Sequence, residues 1–419
     1  MTVSTNIKTD AARIGQRAEA MLAELGAISA EPHRLVRLFL TPEHRRAADL
    51  VAGWMREAGM TVTEDALGTV RGHWRPDLER RFLIGSHIDT VIDAGRYDGP
   101  LGVVAGILAV RELTARGVTL PFGIDILAFG DEEGSRFRST LASSLACTGK
   151  FDNATLSDHD RNGVTLADAL TAYGKRIEDI PGAAYDREKV AGFLEVHIEQ
   201  GPVLEAEDLP LGVVTAIIGQ SRLRVVVLGA AGHAGTVPMH MRQDALAGAA
   251  EILLAIERTA LDSQADGMVA TVGRIEASPG ATNVIPGRVG FSLEFRSAND
   301  ARRRAAIEQV KEDAQRIAMR RKLEVAFESF YETQTTACDP AMQDLLADVI
   351  SKQGYAAHRI QSGAGHDAQV MAAFCPSAMM FVRCRGGISH NPEEFASECD
   401  MGLAVVALTD FIEAFAKTA

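Results

Sequence analysis

Five short clusters of histidine and carboxylate residues give this sequence side chains that could hold metal ions. The clusters are GSHIDT (85–90), GRYDGPLG (95–102), GDEEGS (130–135), EVHIEQGP (195–202) and GGISHNPEE (386–394). Imidazole nitrogens and carboxylate oxygens are ligands that divalent transition metals take. Two such ions that share one carboxylate, roughly 3.5–4 Å apart, can activate a water and polarise a carbonyl together. The pattern therefore indicates metal-assisted hydrolysis.

The first two clusters are ambiguous when each is taken alone. Residues two apart on a strand face the same side, so Asp89 can accept a hydrogen bond from the ring of His87 and fix its tautomer for metal binding. A buried histidine beside an acid is as often structural. In the second cluster, Asp98 lies in a glycine-rich loop before a helix, where it could bridge two ions or simply cap the helix.

The remaining clusters strengthen the case for a metal site. Asp131, Glu132 and Glu133 follow an apolar strand, where three acids are costly unless a cation or proton is shared, although a solvated acidic turn is the alternative. His197 lies on a strand, and His390 lies in a glycine-rich loop. Taken together, the ligand types favour a site for two ions. Glu132 suits the role of general base because it adjoins the ligand Glu133.

Strands alternating with helices position these clusters and predict an α/β sheet with helices on its faces. The predicted elements of this part are helices over 42–59, 101–116, 340–353 and 400–417 and strands over 82–88, 123–129, 193–198 and 378–383. Several clusters follow strands, as expected for ligand sites at the carboxyl ends of strands in open α/β sheets. We therefore predict a discontinuous catalytic domain over 1–211 and 331–419.

The middle of the chain has a different order, β-α-β-β-α-β, which is the ferredoxin-like α+β unit. Its predicted strands are 222–229, 267–277, 288–297 and 323–330, and its predicted helices are 241–261 and 299–319. We expect it to form a separate domain over 212–330, inserted into the first.

Composition excludes several classes of function. A net charge of −13 over 419 residues argues against a nucleic-acid partner and against docking on an anionic membrane. No apolar run approaches the roughly 18 residues of a membrane-spanning helix, and the polar N-terminus lacks a signal-peptide pattern. We therefore expect a cytoplasmic protein. The five cysteines are scattered, and we expect them to be buried free thiols.

Seven motifs spread along nearly the whole chain resemble the hydantoinase/carbamoylase amidases, within the dinuclear aminoacylase/carboxypeptidase metallohydrolase superfamily. The motifs are GSHIDTV (85–91), GRYDGPLGV (95–103), GDEEGSRF (130–137), VHIEQGP (196–202), GHAGTVPM (232–239), NVIPG (283–287) and SGAGHDAQ (362–369). The amidase family includes N-carbamoyl-L-amino acid hydrolases, allantoate and ureidoglycolate amidohydrolases and β-ureidopropionases.

The resemblance implies two divalent ions per subunit, with Zn²⁺ or Mn²⁺ expected and Co²⁺ or Ni²⁺ as alternatives. One ion would be held by His87, Asp98 and His197. The other would be held by Asp98, Glu133 and His390, with Asp98 bridging the two. Asp89 would orient His87, and Glu132 would be the base. Most peptidase relatives place a carboxylate where this chain has His197, and the carbamoylase branch places a histidine there.

The resemblance also implies which residues bind the substrate, a small ureido acid. His233 would donate to the developing oxyanion, acting from the partner subunit of a homodimer that forms through the inserted domain. Asn283 and Arg296 would bind the substrate carboxylate, and an arginine suits that task by its two-pronged geometry. The backbone of Gly363 and Ala364 would assist at the same carboxylate. Gln200 would contact the ureido group.

The expected reaction is cleavage of the carbamoyl C–N bond of an N-carbamoyl-L-amino acid or of allantoate. The inserted domain would act as a lid that closes over the substrate. Two alternatives remain from the sequence. One is an aminoacylase- or dipeptidase-type hydrolase on the same scaffold, and the other is a metal-bound binding protein without activity.

Overall fold

The computed structural model describes residues 5–263 and 267–418, with side chains from residue 9. The helices are α1 (Thr5–Gly26), α2 (Pro42–Glu57), α3 (Pro100–Ala115), α4 (Ala142–Cys147), α5 (Leu166–Ala172), α6 (Val203–Ala206), α7 (Ala245–Asp262), α8 (Asp300–Arg321), α9 (Pro340–Lys352), α10 (Asp367–Ala372) and α11 (Glu398–Phe415). The strands are β1 (Thr61–Glu64), β2 (Val70–Trp74), β3 (Arg81–His87), β4 (Gly123–Phe129), β5 (Val190–Ile198), β6 (Leu211–Ile217), β7 (Gly219–Leu228), β8 (Gly232–His233), β9 (Val269–Thr271), β10 (Ile275–Ser278), β11 (Val284–Ile285), β12 (Arg288–Ser297), β13 (Glu324–Thr333), β14 (Thr336–Ala337), β15 (His358–Ser362) and β16 (Ser377–Val382).

The chain divides into two units at positions close to those predicted. Unit 1 comprises Met1–Thr215 and Ala337–Ala419, and unit 2 comprises Ala216–Thr336. The predicted insert, 212–330, begins four residues earlier and ends six residues earlier than unit 2. The start differs because most of β6 belongs to the large sheet, and the end differs because β13 runs on to Thr333.

Unit 1 contains a mixed sheet in the order β1-β2-β4-β3-β5-β16-β6-β14, with β15 also paired to β6. Its four central strands, β4, β3, β5 and β16, are parallel. Each is buried along its whole length because the crossover helices cover the sheet. His87 is paired with Phe129, and His197 is paired with Phe381. The carboxyl ends of the parallel strands therefore share one edge of the sheet, which confirms the predicted α/β class.

Two helices from opposite ends of the chain, α1 and α11, pack closely in unit 1. A Cβ added to Gly402 would lie 1.8 Å from the carbonyl oxygen of Ala11, so only glycine permits this approach. Helix α2 begins with Thr41 as its cap and Pro42 inside the first turn, as predicted.

Unit 2 has the predicted ferredoxin-like order. The sheet runs β10-β12-β7-β13 with β9 also paired to β12, and its pairs are antiparallel. Alternate residues of β7 and β12 form one hydrophobic core with α7 and α8. The prediction of one strand over 267–277 was wrong. Thr271 and Ile275 are four positions apart, whereas their partners on β12 are three positions apart, so a bulge breaks the strand in two.

All five cysteines are free, as predicted, but Cys399 is exposed rather than buried. None of the helices over residues 5–263 and 267–418 is both long enough and apolar enough to cross a membrane.

Candidate metal centre

Asp98 is the residue around which the predicted ligands gather. Its Oδ1 lies 3.1 Å from Nε2 of His197 and 3.6 Å from Nε2 of His87. Its Oδ2 lies 3.3 Å from Nε2 of His390, which in turn lies 3.5 Å from Oε2 of Glu133. All five predicted ligands therefore meet at one place in unit 1. They form two groups of possible metal ligands, His87/Asp98/His197 and Asp98/Glu133/His390, that share Asp98.

The fold brings these residues together from distant parts of the chain. His87 ends β3 and His197 lies near the end of β5, so the parallel strands place both rings at the same edge. Asp98 precedes the first turn of α3, where Gly99 has a φ of 81° and packs against the ring of His87. A side chain at position 99 would collide with that ring, because its Cβ would lie 2.4 Å from it.

The tautomers of two histidines point to a cation. Nδ1 of His197 is 2.9 Å from the carbonyl oxygen of Ile198, and Nδ1 of His87 is 3.1 Å from that of Asp89. A carbonyl oxygen only accepts, so Nδ1 carries a proton, and in the neutral ring each Nε2 then presents a lone pair. Nε2 of His197 is buried and makes no hydrogen bond within the described residues. Lone pairs that face the oxygens of Asp98 fit divalent metal ions at this position.

The charges of the carboxylates follow from burial and from these neighbours. Burial alone would raise the pKa of Asp98, but His197, His390 and His87 outweigh it and hold the pKa well below its usual range. Asp98 is thus a carboxylate in ordinary buffers. Burial raises the pKa of Glu133 to about 7, with the charge of Asp98 adding to the effect.

Glu132 is set apart from the ligands by its surroundings. Burial raises its pKa well above the usual range, His87 opposes this shift, and the charge of Glu133 adds to it. Its Oε2 lies 3.9 Å from Nε2 of His87. A carboxylate with a raised pKa that borders the ligand cluster is suited to accept a proton.

Asp89 connects the histidine to the acidic pair. Its carboxylate accepts the backbone N–H groups of Glu132 and Glu133, each at 3.3 Å. The prediction that its side chain orients His87 needs refinement, because the closer contact to Nδ1 is the backbone carbonyl at 3.1 Å and the carboxylate lies at 3.5 Å. Asp89 therefore ties the turn after β4 to the end of β3.

The predicted substrate residues of unit 1 lie beside the ligands. Gln200 donates from Nε2 to Oδ2 of Asp98 at 2.9 Å. The N–H of Ala364 lies 3.2 Å from Oγ of Ser362. The loop that contains Gly363 and Ala364 continues to Gly365, where an added Cβ would lie 3.6 Å from Oε1 of Glu132.

The predicted substrate residues of unit 2 lie on its sheet and loops. His233 pairs with Val284, so His233 and Asn283 are close along two short strands. The N–H of Gly235 donates to Nδ1 of His233 at 3.1 Å, so Nε2 carries the proton of the neutral ring. Arg296 donates from Nε to Oε1 of Glu294 at 2.6 Å.

Three residues at the centre had no role in the sequence analysis. Oγ of Ser389 lies 2.9 Å from Oδ2 of Asp98 and 3.0 Å from Oε2 of Glu394. Buried Glu195 accepts from Oγ of Ser86 and from the N–H of Ala368, each at 2.8 Å. Glu195 shares a strand face with His197, and Ser389 and Glu394 share a motif with His390. That proximity in sequence was the available signal.

Known proteins are similar to this chain over nearly its whole length. An allantoate deiminase from Arabidopsis thaliana is 40% identical over 94% of this chain and 81% of that protein. An N-carbamoyl-L-amino acid amidohydrolase from Geobacillus stearothermophilus is 38% identical over 94% of this chain and 97% of that protein. The crystal structure of a hydantoinase/carbamoylase family amidase from Burkholderia multivorans superposes with a TM-score of 0.90. It is 34% identical and covers 96% of this chain and 98% of its own.

The sequence profile described as Peptidase family M20/M25/M40 matches residues 83–414, a range that contains all five predicted ligands. The resemblance inferred from the motifs is thereby confirmed. A solved amidase of the hydantoinase/carbamoylase family is similar to this chain over nearly its whole length, and the chain belongs to Peptidase family M20/M25/M40.

Proposed function

We propose that this protein is a metal-dependent amidohydrolase that cleaves the ureido C–N bond of a ureido acid, either an N-carbamoyl-L-amino acid or allantoate. The observation that carries the proposal is the sharing of Asp98 by two ligand groups, with the partly buried carboxylate of Glu132 at their border. The names of the relatives at 40% and 38% identity support the class of bond.

His87, Asp98 and His197 would hold one divalent ion, and Asp98, Glu133 and His390 would hold the other, with Zn²⁺ or Mn²⁺ as the expected metal. When bound, the two ions supply Lewis acidity and lower the pKa of water. The carbonyl oxygens of Ile198 and Asp89 place the proton of each neutral ring on Nδ1, which leaves a lone pair on Nε2 of His197 and of His87 for a metal ion.

Glu132 moves the proton in the proposed reaction. It takes a proton from the water that attacks the carbamoyl carbon and gives a proton to the leaving nitrogen. Burial supports this role, because a carboxylate with a raised pKa accepts a proton readily. The products are ammonia, carbon dioxide and the amine that carried the carbamoyl group.

Unit 2 supplies the proposed substrate contacts His233, Asn283 and Arg296. The contact from Gly235 supports His233 as a donor to the oxyanion, because it leaves the proton on Nε2. The guanidinium of Arg296 suits the substrate carboxylate. In the proposed homodimer, His233 acts on the substrate of the second copy, and Gln200 and the Gly363–Ala364 backbone complete the contacts.

Ammonia release by manganese-reconstituted protein on N-carbamoyl-L-methionine and on allantoate tests the proposal. Turnover of the carbamoyl amino acid alone would identify a carbamoylase, and turnover of allantoate alone would identify an allantoate amidohydrolase. N-acetyl-L-methionine is the matched control, because it replaces the ureido group with an ordinary amide. Turnover of that control alone would refute the ureido assignment and favour an aminoacylase.

A further inference from the structure

Glu394 contacts two of the irregular segments that carry predicted ligands of the candidate metal centre, those of Asp98 and His390. Its Oε1 accepts the backbone N–H groups of Tyr97 at 2.9 Å and of Asp98 at 3.1 Å. Its Oε2 lies 3.0 Å from Oγ of Ser389, the residue before His390. One carboxylate thus joins the segment that carries Asp98 to the segment that carries His390.

Both segments lie outside regular secondary structure, and Gln200 also contacts both, since its Nε2 donates to Oδ2 of Asp98 at 2.9 Å and to Oγ of Ser389 at 3.1 Å. Asp98 precedes the first turn of α3, and His390 lies in a loop with a φ of 54° and a side chain that is 52% exposed. Glu394 itself is buried, and its own N–H donates to the carbonyl oxygen of Asn391 at 3.0 Å. The backbone of Glu394 is therefore fixed by a hydrogen bond within its own loop, and its carboxylate accepts hydrogen bonds from the segment that carries Asp98.

The backbone at Gly95 packs closely against the side chain of Glu394. A Cβ at Gly95 would lie 2.3 Å from Oε1 of Glu394 and 2.4 Å from its Cδ. Gly95 is not among the residues with positive φ, so its backbone does not require glycine. A side chain at position 95 is excluded because it would overlap Glu394.

We infer that Glu394 is a positioning residue for the metal centre, one that sets the distance between the bridging carboxylate of Asp98 and the ring of His390. It would not bind metal or substrate itself. Ser389 extends the connection, because its single hydroxyl proton can go to Glu394 or to Oδ2 of Asp98. The inference rests on the two-metal site of the proposed function and does not depend on which substrate is cleaved.

Metal affinity of three variants tests this role, measured by competition with a chromophoric chelator together with the visible spectrum of the Co²⁺-substituted protein. Glu394→Ala is expected to weaken binding 10- to 100-fold, the range found when partners of ligands are removed, and to change the Co²⁺ spectrum. Glu394→Gln keeps an oxygen for both N–H groups and is expected to bind within about threefold of wild type. Glu393→Ala is the matched control, because that neighbouring side chain is exposed.

Gly95→Ala disturbs the same contact from position 95, and it is the variant to measure if Glu394→Ala does not fold. The added methyl is expected to displace the carboxylate and weaken metal binding. Wild-type affinity in both single variants, or equal losses in Glu394→Ala and Glu394→Gln, would overturn the inference. A wild-type protein that binds two ions but cleaves no ureido acid would refute the proposed function and leave this role intact.

Discussion

Nε2 of His197 lies 3.1 Å from Oδ1 of Asp98, and both atoms offer lone pairs when the ring is neutral. Two acceptors at this distance repel each other in a buried place unless a cation or a proton lies between them. The same applies to Nε2 of His87, whose Nδ1 is directed to a carbonyl oxygen. If metal ions bind here, as we propose, they should contribute to the stability of unit 1 as well as to its chemistry.

Removal of the metal should abolish activity and lower stability together. Dialysis against a chelator is expected to stop ammonia release, and Mn²⁺ or Zn²⁺ is expected to restore it. At a free metal concentration 100 times the dissociation constant, each site should add about 2.7 kcal/mol to the free energy of unfolding. Thermal melting with and without metal checks this. His197→Ala is the control, because it should lose most of the stabilisation.

Glu132→Gln should remove the base while leaving the ligands in place. We expect kcat to fall by about 10³-fold or more, since the amide cannot accept the proton. Metal content, measured by mass spectrometry of the purified protein, should remain at two ions. Glu207→Gln, at an exposed position, is the matched control. Retained turnover in Glu132→Gln would refute its role as base.

Arg296→Ala should mainly weaken substrate binding. Glu294 accepts from Nε of Arg296 and also from Nε of Arg222, so the guanidinium of Arg296 is held on the sheet by this carboxylate. We expect KM to rise by about tenfold or more, as for the loss of a charged hydrogen bond, with a smaller change in kcat. Arg296→Lys should not restore KM, because lysine lacks the planar fork.

Arg224→Ala is the control for Arg296, because Arg224 lies on the neighbouring strand with a side chain that is 60% exposed. An unchanged KM in Arg296→Ala, or an equal rise in both variants, would contradict the assignment.

Asp125 should make the stability of unit 1 depend on pH. Its carboxylate accepts from Nε of Arg81 at 3.0 Å and from the hydroxyl of Tyr185 at 2.9 Å, and it lies 2.8 Å from Nδ1 of His73. Burial alone would raise its pKa, but His73 and Arg81 outweigh it and hold the pKa below the usual value. A lowered pKa in the folded state stabilises the protein above the unfolded value, about pH 4, and this stabilisation is lost as the pH falls through the folded value.

Asp125→Asn should therefore lower the free energy of unfolding by about 3 kcal/mol at pH 7, and the difference from wild type should shrink below about pH 4. Urea denaturation followed by tryptophan fluorescence measures this in unit 1, since both tryptophans, Trp54 and Trp74, lie there. Asp77→Asn, at an exposed position, should have no effect. A difference that stays constant down to pH 3 would contradict the role of the charge.

The elements that surround the ligands were predictable because their patterns are local. The strand over 123–129 and the strand over 288–297 were predicted with the bounds they have, since an apolar run or strict alternation marks each. Helix α1 was missed, although its buried residues recur at helical spacing. Helix α1 is polar on average. It packs against α11 from the other end of the chain, and no local pattern in α1 indicates that contact.

The residues that we propose as ligands could be selected for a different reason, because each lies in a motif with its own local signature. The contacts that orient them were not predictable. Glu394 accepts the N–H of Asp98 across 296 positions of sequence, and nothing in either segment alone indicates that contact. The direction of the His87 proton was also beyond the sequence, because it depends on a backbone carbonyl rather than on a side chain.

The position of β16 between β5 and β6 has a consequence for how the chain is made. Unit 2 is one continuous stretch, so its core can form while the ribosome is still producing the rest of the protein. The sheet of unit 1 cannot be completed until Ser377–Val382, its strand between β5 and β6, has been synthesised. His390 follows later still, so we expect the metal centre to assemble only after most of the chain has been synthesised.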